Sequence, residues 1–448
     1  MTAPAAAVSS PAAEPEALET AELQARIDAA AAAGGGRVVV GAGVHRTGAL
    51  RLRSHVELHV EAGAVLQFVP DPALYPPVEA RWEGAPATIH QPCLYADGAE
   101  HVTISGVGTI DGGGAPWWEA FRAGTLEHPR PTLLGLHGCR RVVVRDVALR
   151  NSPAWTVHPL LCEDVSIRDI SILNPPDSPN TDGIDPESCR NVRISGCHVD
   201  VGDDCIVLKA GTEETAERVA CENVTVVGCT LVHGHGGVVI GSEMSGDVRN
   251  VVIADCVFQG TDRGIRLKSR RGRGGVVEDV RVSNVVMDDV GCPFVVNAHY
   301  FCGPGGREPV VSDRAPQPVG PGTPTFRRIS LAHVSARRVR AAAGFVLGLA
   351  ERPVSELTLD DVSVSFADDP APFVPAMAEG VEESVRRGLV LTGCDDVQLR
   401  GVRITGALGE PLALDRVEGL RVVDCSSDGG PLTQRAPAPA AAPESTPR

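Results

Sequence analysis

Aromatic residues are scarce in this sequence. Phe, Tyr and Trp make up 4% of its 448 residues, so a core must be built mainly from Val, Ile, Leu, Ala and Cys. No apolar run approaches the roughly 18 residues of a membrane-spanning helix, so we expect no membrane partner. The formal net charge of −16 also excludes broad affinity for nucleic acid, because phosphate backbones attract basic proteins.

CxxC pairs are missing as well, although the chain has 13 cysteines. Zinc centres commonly use such pairs, so we expect no metal, and no motif indicates a cofactor. The N-terminus lacks the basic segment that begins a secretory signal. We therefore expect a cytoplasmic protein with mostly free thiols, with secretion by a non-obvious route as the alternative. The oligomeric state is left open.

A short strand pattern repeats along the chain. Each copy has apolar residues at alternate positions, followed by a turn of Gly, Asp or Asn. The clearest copies are RVVVRDV from Arg141, DVSIRDI from Asp164, NVRISGC from Asn191, NVTVVGC from Asn223, NVVIADC from Asn250 and DVRVSNV from Asp279. Repeats of this length without helical periodicity are typical of a solenoid. The sequence therefore predicts an all-β fold, a parallel β-helix in which each repeat is one coil.

Stacked coils place equivalent residues above one another. Asn or Asp often starts a copy, and stacked Asn side chains can satisfy one another at coil corners. Cys197, Cys229 and Cys256 occupy the same place in three successive copies. Since a thiol packs as a small apolar group, we interpret these residues as an internal ladder rather than as metal ligands or disulfides.

The ends of the solenoid have their own signals. The segment ETAELQARIDAAAAAGGG predicts a short N-terminal helix with Thr20 as its N-cap and Gly34–Gly36 as its stop. Such a helix would cap the first coil, whose open edge invites aggregation. Residues 1–15 and 433–448 are Pro- and Ala-rich and are predicted to be disordered tails, which leaves residues 16–432 as one domain.

Two stretches break the repeat, one after Tyr300 and one from Phe366. Both are long enough to predict surface loops, which are often functional.

Polar motifs fall on four successive coils. In chain order they are NTD ending at Asp182, GDDC with Asp203 and Asp204, GHG with His235, and RLK with Arg266 and Lys268. Residues one coil apart lie about 4.8 Å from each other, so Asp182 is expected beside Asp203 on one flank of the solenoid. Adjacent strand residues point to opposite faces, so both members of the Asp pair can serve one site only if the strand ends or bulges there.

Carboxylates arranged in this way suit glycoside hydrolysis. That reaction needs one protonated acid and one ionised carboxylate, and neighbouring like charges raise the pKa of one of them. The segment DRGIRLKSRRGRGG carries six basic residues against one acid. On an acidic protein, this local reversal favours an anionic sugar as the substrate.

Structural interpretations remain open for several of these residues. Isolated aspartates are often solvated turn residues or calcium ligands. His158 and His233 are expected to be structural, and Arg270 to Arg273 to be partly a solvated loop. Asn297 could contact a sugar or serve only the fold.

The four motifs resemble those of the polygalacturonases, family 28 of the glycoside hydrolases, including bacterial exo-acting members. GTIDGGGAPWW and NSPAWTVHP are similar to supporting segments in that family. The resemblance implies a right-handed parallel β-helix that hydrolyses α-1,4-galacturonosidic bonds of pectin-derived poly- or oligogalacturonate with inversion. It also implies site residues and roles: Asp203 as general acid, Asp182 and Asp204 as the base that holds water, His235 as support for the acid, Arg266 and Lys268 as ligands of the substrate carboxylate, and Tyr300 at the position of a substrate-side tyrosine.

Alternatives to that function stay open. They are a rhamnogalacturonan or xylogalacturonan hydrolase, a pectate-lyase-type eliminase, and a non-catalytic carbohydrate-binding solenoid. Exo action is favoured over endo action. Cys205 and Cys221, 16 residues apart, resemble a disulfide pair of secreted relatives. Because the chain shows no export signal, we expect both thiols to be reduced and unnecessary for folding.

Overall fold

Three parallel sheets run along the molecule, and most coils contribute one strand to each of them. The computed structural model describes residues 17–432; the predicted tails, residues 1–15 and 433–448, lie outside the described residues. The strands pair in register with the equivalent strands of the coils above and below. The predicted right-handed parallel β-helix is confirmed.

The first sheet is formed by Gly36–Val40, Val56–Val60, Thr103–Ser105, Arg140–Arg145, Glu163–Arg168, Arg190–Ser195, Cys221–Val227, Val248–Ala254, the opening parts of Val276–Asp288, Thr325–Val339 and Val354–Phe366, the closing part of Arg387–Arg400, and Arg421–Val423. The second sheet is formed by Gly43–Thr47, Ala64–Phe68, Thr109–Asp111, Ala148–Arg150, Ser171–Leu173, His198–Val201, Thr230–His233, Val257–Gln259, the closing parts of the same three long strands, Arg403–Thr405, and Ser426–Ser427 with Gly430–Pro431.

The third sheet carries Arg266 and Lys268, two of the predicted site residues. It is formed by Leu50–Arg51, Leu94–Asp97, Leu134–His137, Val157–Leu160, Ile206–Leu208, Val238–Ile240, Arg263–Lys268, Cys292–Asn297, Ala342–Leu347, the opening part of Arg387–Arg400, and Leu412–Glu418. The remaining elements are α1 (Thr20–Ala32), α2 (Ala115–Ala123), α3 (Pro309–Ser312), a 3-10 turn (Pro72–Leu74), and an antiparallel hairpin of Pro77–Trp82 with Ala85–His90. None of the helices within residues 17–432 has the length and apolar character needed to cross a membrane.

Alternating side chains fill the inside of the solenoid. In Arg190–Ser195 only Val192 and Ile194 are buried, because successive strand residues point to opposite faces. The third sheet differs, since Arg263–Lys268 and Cys292–Asn297 are buried at every position. Loops cover its outer face, so outward side chains of this sheet become buried in a polar layer rather than exposed to solvent.

Helix α1 covers the open end of the first coil, as predicted. Its Leu23 and Ile27 are fully buried against that coil. The predicted N-cap was wrong by one residue, because Glu19 occupies the N-cap position without a side-chain cap. Thr20 is already helical, and its hydroxyl instead accepts a hydrogen bond from the Gly48 amide at 2.7 Å. This contact fixes the helix to the coil rather than closing its own first turn.

Asparagine side chains link successive corners of the coils. Asn223 Nδ2 donates to Asn191 Oδ1 at 3.1 Å, and Asn250 Nδ2 donates to Asn223 Oδ1 at 3.0 Å. All three residues have φ between 56° and 59°, a left-handed conformation that Asn tolerates better than most residues. The predicted ladder of stacked Asn side chains is confirmed.

The cysteines lie mainly inside the coils. Cys197, Cys229 and Cys256 are buried at equivalent corners, which confirms the predicted internal ladder. Cys205 precedes a third-sheet strand, whereas Cys221 begins a first-sheet strand. The width of the third sheet therefore separates the two residues, whereas a disulfide needs Cα atoms within about 7 Å. The fold thus gives the two thiols different surroundings.

We expect thiol oxidation to play no part in the stability of this fold. Reductant should change the melting temperature by less than about 2 °C, since a larger shift would correspond to the loss of a stabilising cross-link. Thermal melts with and without reductant test this, and mass spectrometry of thiols alkylated at cell lysis provides the control. A stoichiometric bond between Cys205 and Cys221 would contradict both the prediction and the predicted reducing location.

Candidate active site

Three aspartates form one carboxylate cluster at the corner between the second and third sheets. The cluster consists of Asp182, Asp203 and Asp204, and one carboxylate oxygen of each lies within 4.8 Å of one oxygen of each of the others. The second-sheet strand ends at Val201 and the next third-sheet strand begins at Ile206, so the Asp pair lies outside both strands. The expected irregularity is therefore present, and both aspartates can serve one site.

The register of the coils differs from the prediction by one residue. Ile184 pairs with Ile206, which places Asp182 beside Asp204 rather than beside Asp203. The Gly183 amide donates to the Asp204 carbonyl at 3.0 Å. A Cβ atom at Gly183 would lie 2.3 Å from the Cys205 carbonyl oxygen, so only glycine permits this close stacking. The error arose because sequence spacing ignores residues that are used up in the turn.

The members of the cluster differ in exposure. Asp182 and Asp204 are 5% and 2% exposed, whereas Asp203 is half-buried. The Asp204 amide donates to Asp203 Oδ1 at 2.8 Å, which fixes the side chain of the outer aspartate. A ligand arriving from solvent would therefore meet Asp203 first.

Two cations neutralise Asp204. Burial alone would raise the pKa of this carboxyl, but Lys268 Nζ at 2.8 Å and Arg266 Nη1 at 3.2 Å outweigh it and hold the pKa well below its usual range. Sequence analysis assigned both cations to a substrate carboxylate. In the structure they are buried counter-ions of Asp204, and any contact with substrate would be additional.

Asp182 has the opposite character. Burial, followed by the negative charge of Asp203, raises its pKa to about 7, while Lys209 opposes that rise from 3.4 Å. The like-charge argument assigned the raised pKa to the proton donor, expected to be Asp203. Because close carboxylates titrate as a group, we treat the proton bound near neutral pH as shared by the cluster, and burial favours Asp182 as its carrier in the free protein.

His235 lies beside Asp203, the half-buried aspartate. Its amide donates to the Asp203 carbonyl at 3.1 Å, and its Nδ1 lies 2.9 Å from Asp262 Oδ2. The hydrogen bond with Asp262 raises the pKa of His235 against the effect of burial, and the charges of Asp203 and Asp204 act in the same direction. The site therefore favours an imidazolium next to its outer carboxylate.

The other basic residues of the 263–273 segment hold loops. Arg263 donates to the carbonyls of Val374 and Pro375, and Arg271 forms two bonds of 2.7 and 2.8 Å with Glu351.

Arg270 and Arg273 pair with Glu213 at 2.6 and 3.1 Å. Both arginines are buried, so the predicted solvated loop is wrong. The segment is basic because it binds the surrounding loops, which sequence periodicity does not reveal.

Tyr300 closes the cationic side of the site. Its ring centroid lies 5.2 Å from Lys268 Nζ and 5.6 Å from the Arg266 guanidinium carbon. Asn297 instead donates to the Met377 carbonyl at 3.0 Å and so fixes a covering loop, which favours the structural interpretation for that residue.

Sequence analysis missed two charged residues of the site. Asp262, the partner of His235, was seen only as the single acid of a basic run. Lys209, the partner of Asp182, was not considered. The rarity of lysine could have drawn attention to Lys209, because the chain contains only one other lysine, Lys268.

The antiparallel hairpin of residues 77–90 crosses the third sheet near the cluster. Arg81 Nη1 lies 3.0 Å from buried Glu187, and Trp82 stacks on Trp155 with ring centroids 4.7 Å apart. At the hairpin tip, the Gly84 carbonyl accepts a hydrogen bond from Thr215 at 2.8 Å. Although it belongs to an early coil, the hairpin thus forms one wall of the site.

The cluster is compact enough to surround a divalent cation. Lys268 and Arg266 already contact Asp204, however, and Lys209 contacts Asp182. These side chains supply the positive charge that a cation would otherwise provide, and they leave little negative charge to attract one.

Comparison with known proteins agrees with this architecture. The family model described as glycosyl hydrolases family 28 matches residues 45–370, and the chain belongs to this family of glycoside hydrolases. A probable polygalacturonase of Vitis vinifera is 31% identical over 398 residues, covering 86% of this chain and 78% of that protein. An endo-polygalacturonase of Pectobacterium carotovorum is 32% identical over 290 residues, covering 60% and 69%.

Among solved structures, an exopolygalacturonase from Thermotoga maritima superposes with a TM-score of 0.71. It is 30% identical in sequence, and the alignment covers 86% of this chain and 89% of that one. The likeness therefore extends over the whole solenoid rather than over the motif-bearing coils alone.

Substitution of Asp262 should change the titration of His235. In Asp262→Asn, the imidazole loses the bond that raises its pKa, so this pKa should fall toward or below its ordinary value. NMR titration of the histidine ring signals measures the change. Asp200→Asn is the matched control, since it removes the partner of neighbouring His233 and should leave His235 unaffected. An unchanged His235 pKa in Asp262→Asn would contradict the assignment.

Proposed function

We propose that the protein hydrolyses α-1,4-galacturonosidic bonds of poly- and oligogalacturonate with inversion, acting from a chain end. The observation that carries the proposal is the cluster itself: one solvent-facing carboxylate backed by two buried ones. Hydrolysis with inversion needs an acid for the leaving oxygen and a base for the attacking water. An arrangement of one outer and two inner carboxylates supplies both.

The exposures of the aspartates suggest their roles. Asp203 faces solvent and donates the proton to the leaving oxygen, while Asp182 and Asp204 hold the water. Asp204 is ionised because of its two cations. When a sugar covers Asp203 and excludes water, the ionised form of Asp203 is disfavoured, which supports transfer of the shared proton from Asp182. The imidazolium of His235 then stabilises Asp203 after it has given up that proton.

The cationic side supports a uronic acid substrate. Arg266 and Lys268 face the cluster together with Tyr300, and their charges exceed what one Asp204 carboxylate needs. A sugar carboxylate would complete their coordination. The names of the relatives, polygalacturonases from several organisms, support the same substrate class.

The hairpin supports exo action. It extends across the third sheet from Glu187 to the region of Thr215, where it would obstruct a polymer passing straight through the site. A blocked site accepts chain ends. The Thermotoga maritima structure, described as an exopolygalacturonase, supports this choice, although an endo-polygalacturonase matches at similar identity.

A pectate-lyase-type eliminase is the second candidate, because the cluster resembles a calcium-binding arrangement. Elimination needs a calcium cluster and a free arginine base, whereas Arg266 here is paired with Asp204. The products distinguish the reactions, since elimination leaves an ultraviolet-absorbing double bond and hydrolysis does not.

Asp203→Asn should lose turnover while retaining substrate binding. The amide has the same size but cannot give a proton to the leaving oxygen, and general acid catalysis is worth about 10²–10⁴-fold in rate. Reducing-end release from trigalacturonate and polygalacturonate measures turnover, and calorimetry measures binding. The control is Asp200→Asn, three residues away, which should stay active. Activity of Asp203→Asn within threefold of the unmodified enzyme would exclude Asp203 as the acid.

Shortening the hairpin should convert exo products into internal cleavage. The variant removes residues 80–87 and also carries Glu187→Gln, because the loss of Arg81 would leave the buried Glu187 carboxylate with His158 as its remaining charged partner. With the wall gone, polygalacturonate viscosity should fall faster for each bond cleaved, and products should lengthen beyond mono- and disaccharides. Glu187→Gln alone is the control. An unchanged ratio of viscosity loss to bond cleavage would argue against the hairpin as the wall.

A further inference from the structure

Lysine is almost absent from this chain. Of its 41 lysine and arginine residues, only Lys209 and Lys268 are lysines, and the other 39 are arginines (41 − 2). Both lysines contact the carboxylate cluster, Lys268 through Asp204 at 2.8 Å and Lys209 through Asp182 at 3.4 Å. An ammonium is a compact charge, whereas a guanidinium is a planar fork with five donors. The chain therefore uses the compact cation only where it meets the cluster.

Lys209 is enclosed. The residue is 5% exposed, and its Nζ lies 3.8 Å from Asp185 Oδ1 and 4.3 Å from the Trp155 ring centroid. Lys209 directly follows the strand Ile206–Leu208, and its backbone is fixed because its amide donates to the Pro186 carbonyl at 3.0 Å. Its ammonium thus has a defined place between two acids and an aromatic face.

Two buried carboxyls share this single ammonium. Both oxygens of Asp185 and the Oδ1 atom of Asp182 lack a hydrogen-bond partner among residues 17–432. Burial raises the pKa of Asp185 well above its ordinary value, which favours a neutral Asp185. The pKa of Lys209 is also raised, because the nearby acids outweigh its burial. A neutral Asp185 leaves the ammonium charge to act on Asp182.

We propose that Lys209 is a positioning residue that determines which carboxylate of the cluster carries their shared proton. By stabilising the ionised form of Asp182, it opposes the effect of burial and makes it easier for the proton to pass from Asp182 to Asp203, which faces the leaving oxygen. The inference rests on the proposed function for its catalytic meaning, but its electrostatic content concerns the free protein.

The surrounding charges single out Lys209 for this role. Within the described residues, it is the only cation within 4.0 Å of an Asp182 oxygen, because Lys268 and Arg266 contact Asp204 instead. The other charged or titratable groups that act on Asp182 or Lys209 are Asp203, Asp204, Asp185, Lys268, Arg130, Glu83, Glu243 and His158. None of the cations among these approaches Asp182 as closely.

Trp155 connects this pair to the wall of the site. One face of its ring receives the Lys209 ammonium, and the ring also stacks on Trp82 of the hairpin. Aromatic pairs of this kind contribute about 0.5–1.5 kcal/mol beyond their burial. The hairpin that would receive the chain end therefore helps to hold the cation that tunes the cluster.

The scarcity of lysine gives a direct spectroscopic test that requires no turnover. Labelling lysine with ¹³C at the ε position yields two side-chain signals, which Lys209→Arg assigns. In the unliganded protein, the Lys209 signal should shift with a midpoint near the Asp182 value of about 7, and Asp182→Asn should abolish that inflection. A Lys209 signal without an inflection, or one that persists in Asp182→Asn, would overturn the proposal.

Kinetics supply the second measurement. Lys209→Met removes the charge that opposes protonation of Asp182, so Asp182 should hold the shared proton more tightly. The alkaline limb of the kcat/KM profile should move to higher pH, and kcat should fall roughly tenfold for each unit by which that limb moves. Lys209→Arg keeps the charge and should keep the limb near its original position. A lower rate with an unmoved limb would indicate a packing defect and would contradict the proposal.

Controls separate this inference from the proposed function. Arg168→Met removes an exposed cation on the outer surface and should behave like the unmodified enzyme. If the protein does not hydrolyse galacturonate but the Lys209 signal follows Asp182, the function fails and the electrostatic assignment stands. If hydrolysis is normal but the limb does not move, the inference alone fails. Should Lys209→Met not fold, the labelled native protein and Asp182→Asn still decide the question.

Discussion

The stacking of one coil on the next is the constraint on which the rest of the structure depends. Parallel strands hydrogen-bond in register at about 4.8 Å, so a residue at a given corner is repeated by another above it. The same rule that aligns Asn191 with Asn223 also aligns Asp182 with Asp204. In the first case the contact satisfies two amides, and in the second it forces two carboxylates together. Structure and chemistry thus follow from one geometric repeat.

Bringing carboxylates together inside a protein is unfavourable unless cations accompany them. In this chain Lys268 and Arg266 lie two coils beyond Asp204. Lys209 lies in the same coil as Asp204, directly after the strand Ile206–Leu208. The result is asymmetric, because Asp204 receives two cations and Asp182 shares one with Asp185. This asymmetry gives chemically identical side chains different proton affinities, which is what acid–base catalysis requires.

The fold could be predicted from the sequence because inward residues such as Val192 and Ile194 alternate in every copy. The order of the four polar motifs along the axis could be predicted for the same reason. The exact partner of Asp182 could not be predicted from the sequence, because residues 202–205 lie in a turn, where counting residues along a strand fails. The roles of Arg263 and Arg271 were also beyond sequence analysis. Their partners lie in loops about 80 to 112 residues away, and loops carry no periodic signal.

Loops also explain why aspartates of similar appearance behave differently. Asp200 lies at the end of a second-sheet strand and pairs with exposed His233, so water screens its charge. Asp182 lies only 18 residues earlier, but the outer face of the third sheet is covered by the hairpin and by the segments after Tyr300 and Phe366. Covering excludes water, which strengthens every charge interaction beneath it. The solenoid therefore supplies the positions of the three aspartates, and the inserted segments supply the low-polarity surroundings that give these carboxyls unequal proton affinities.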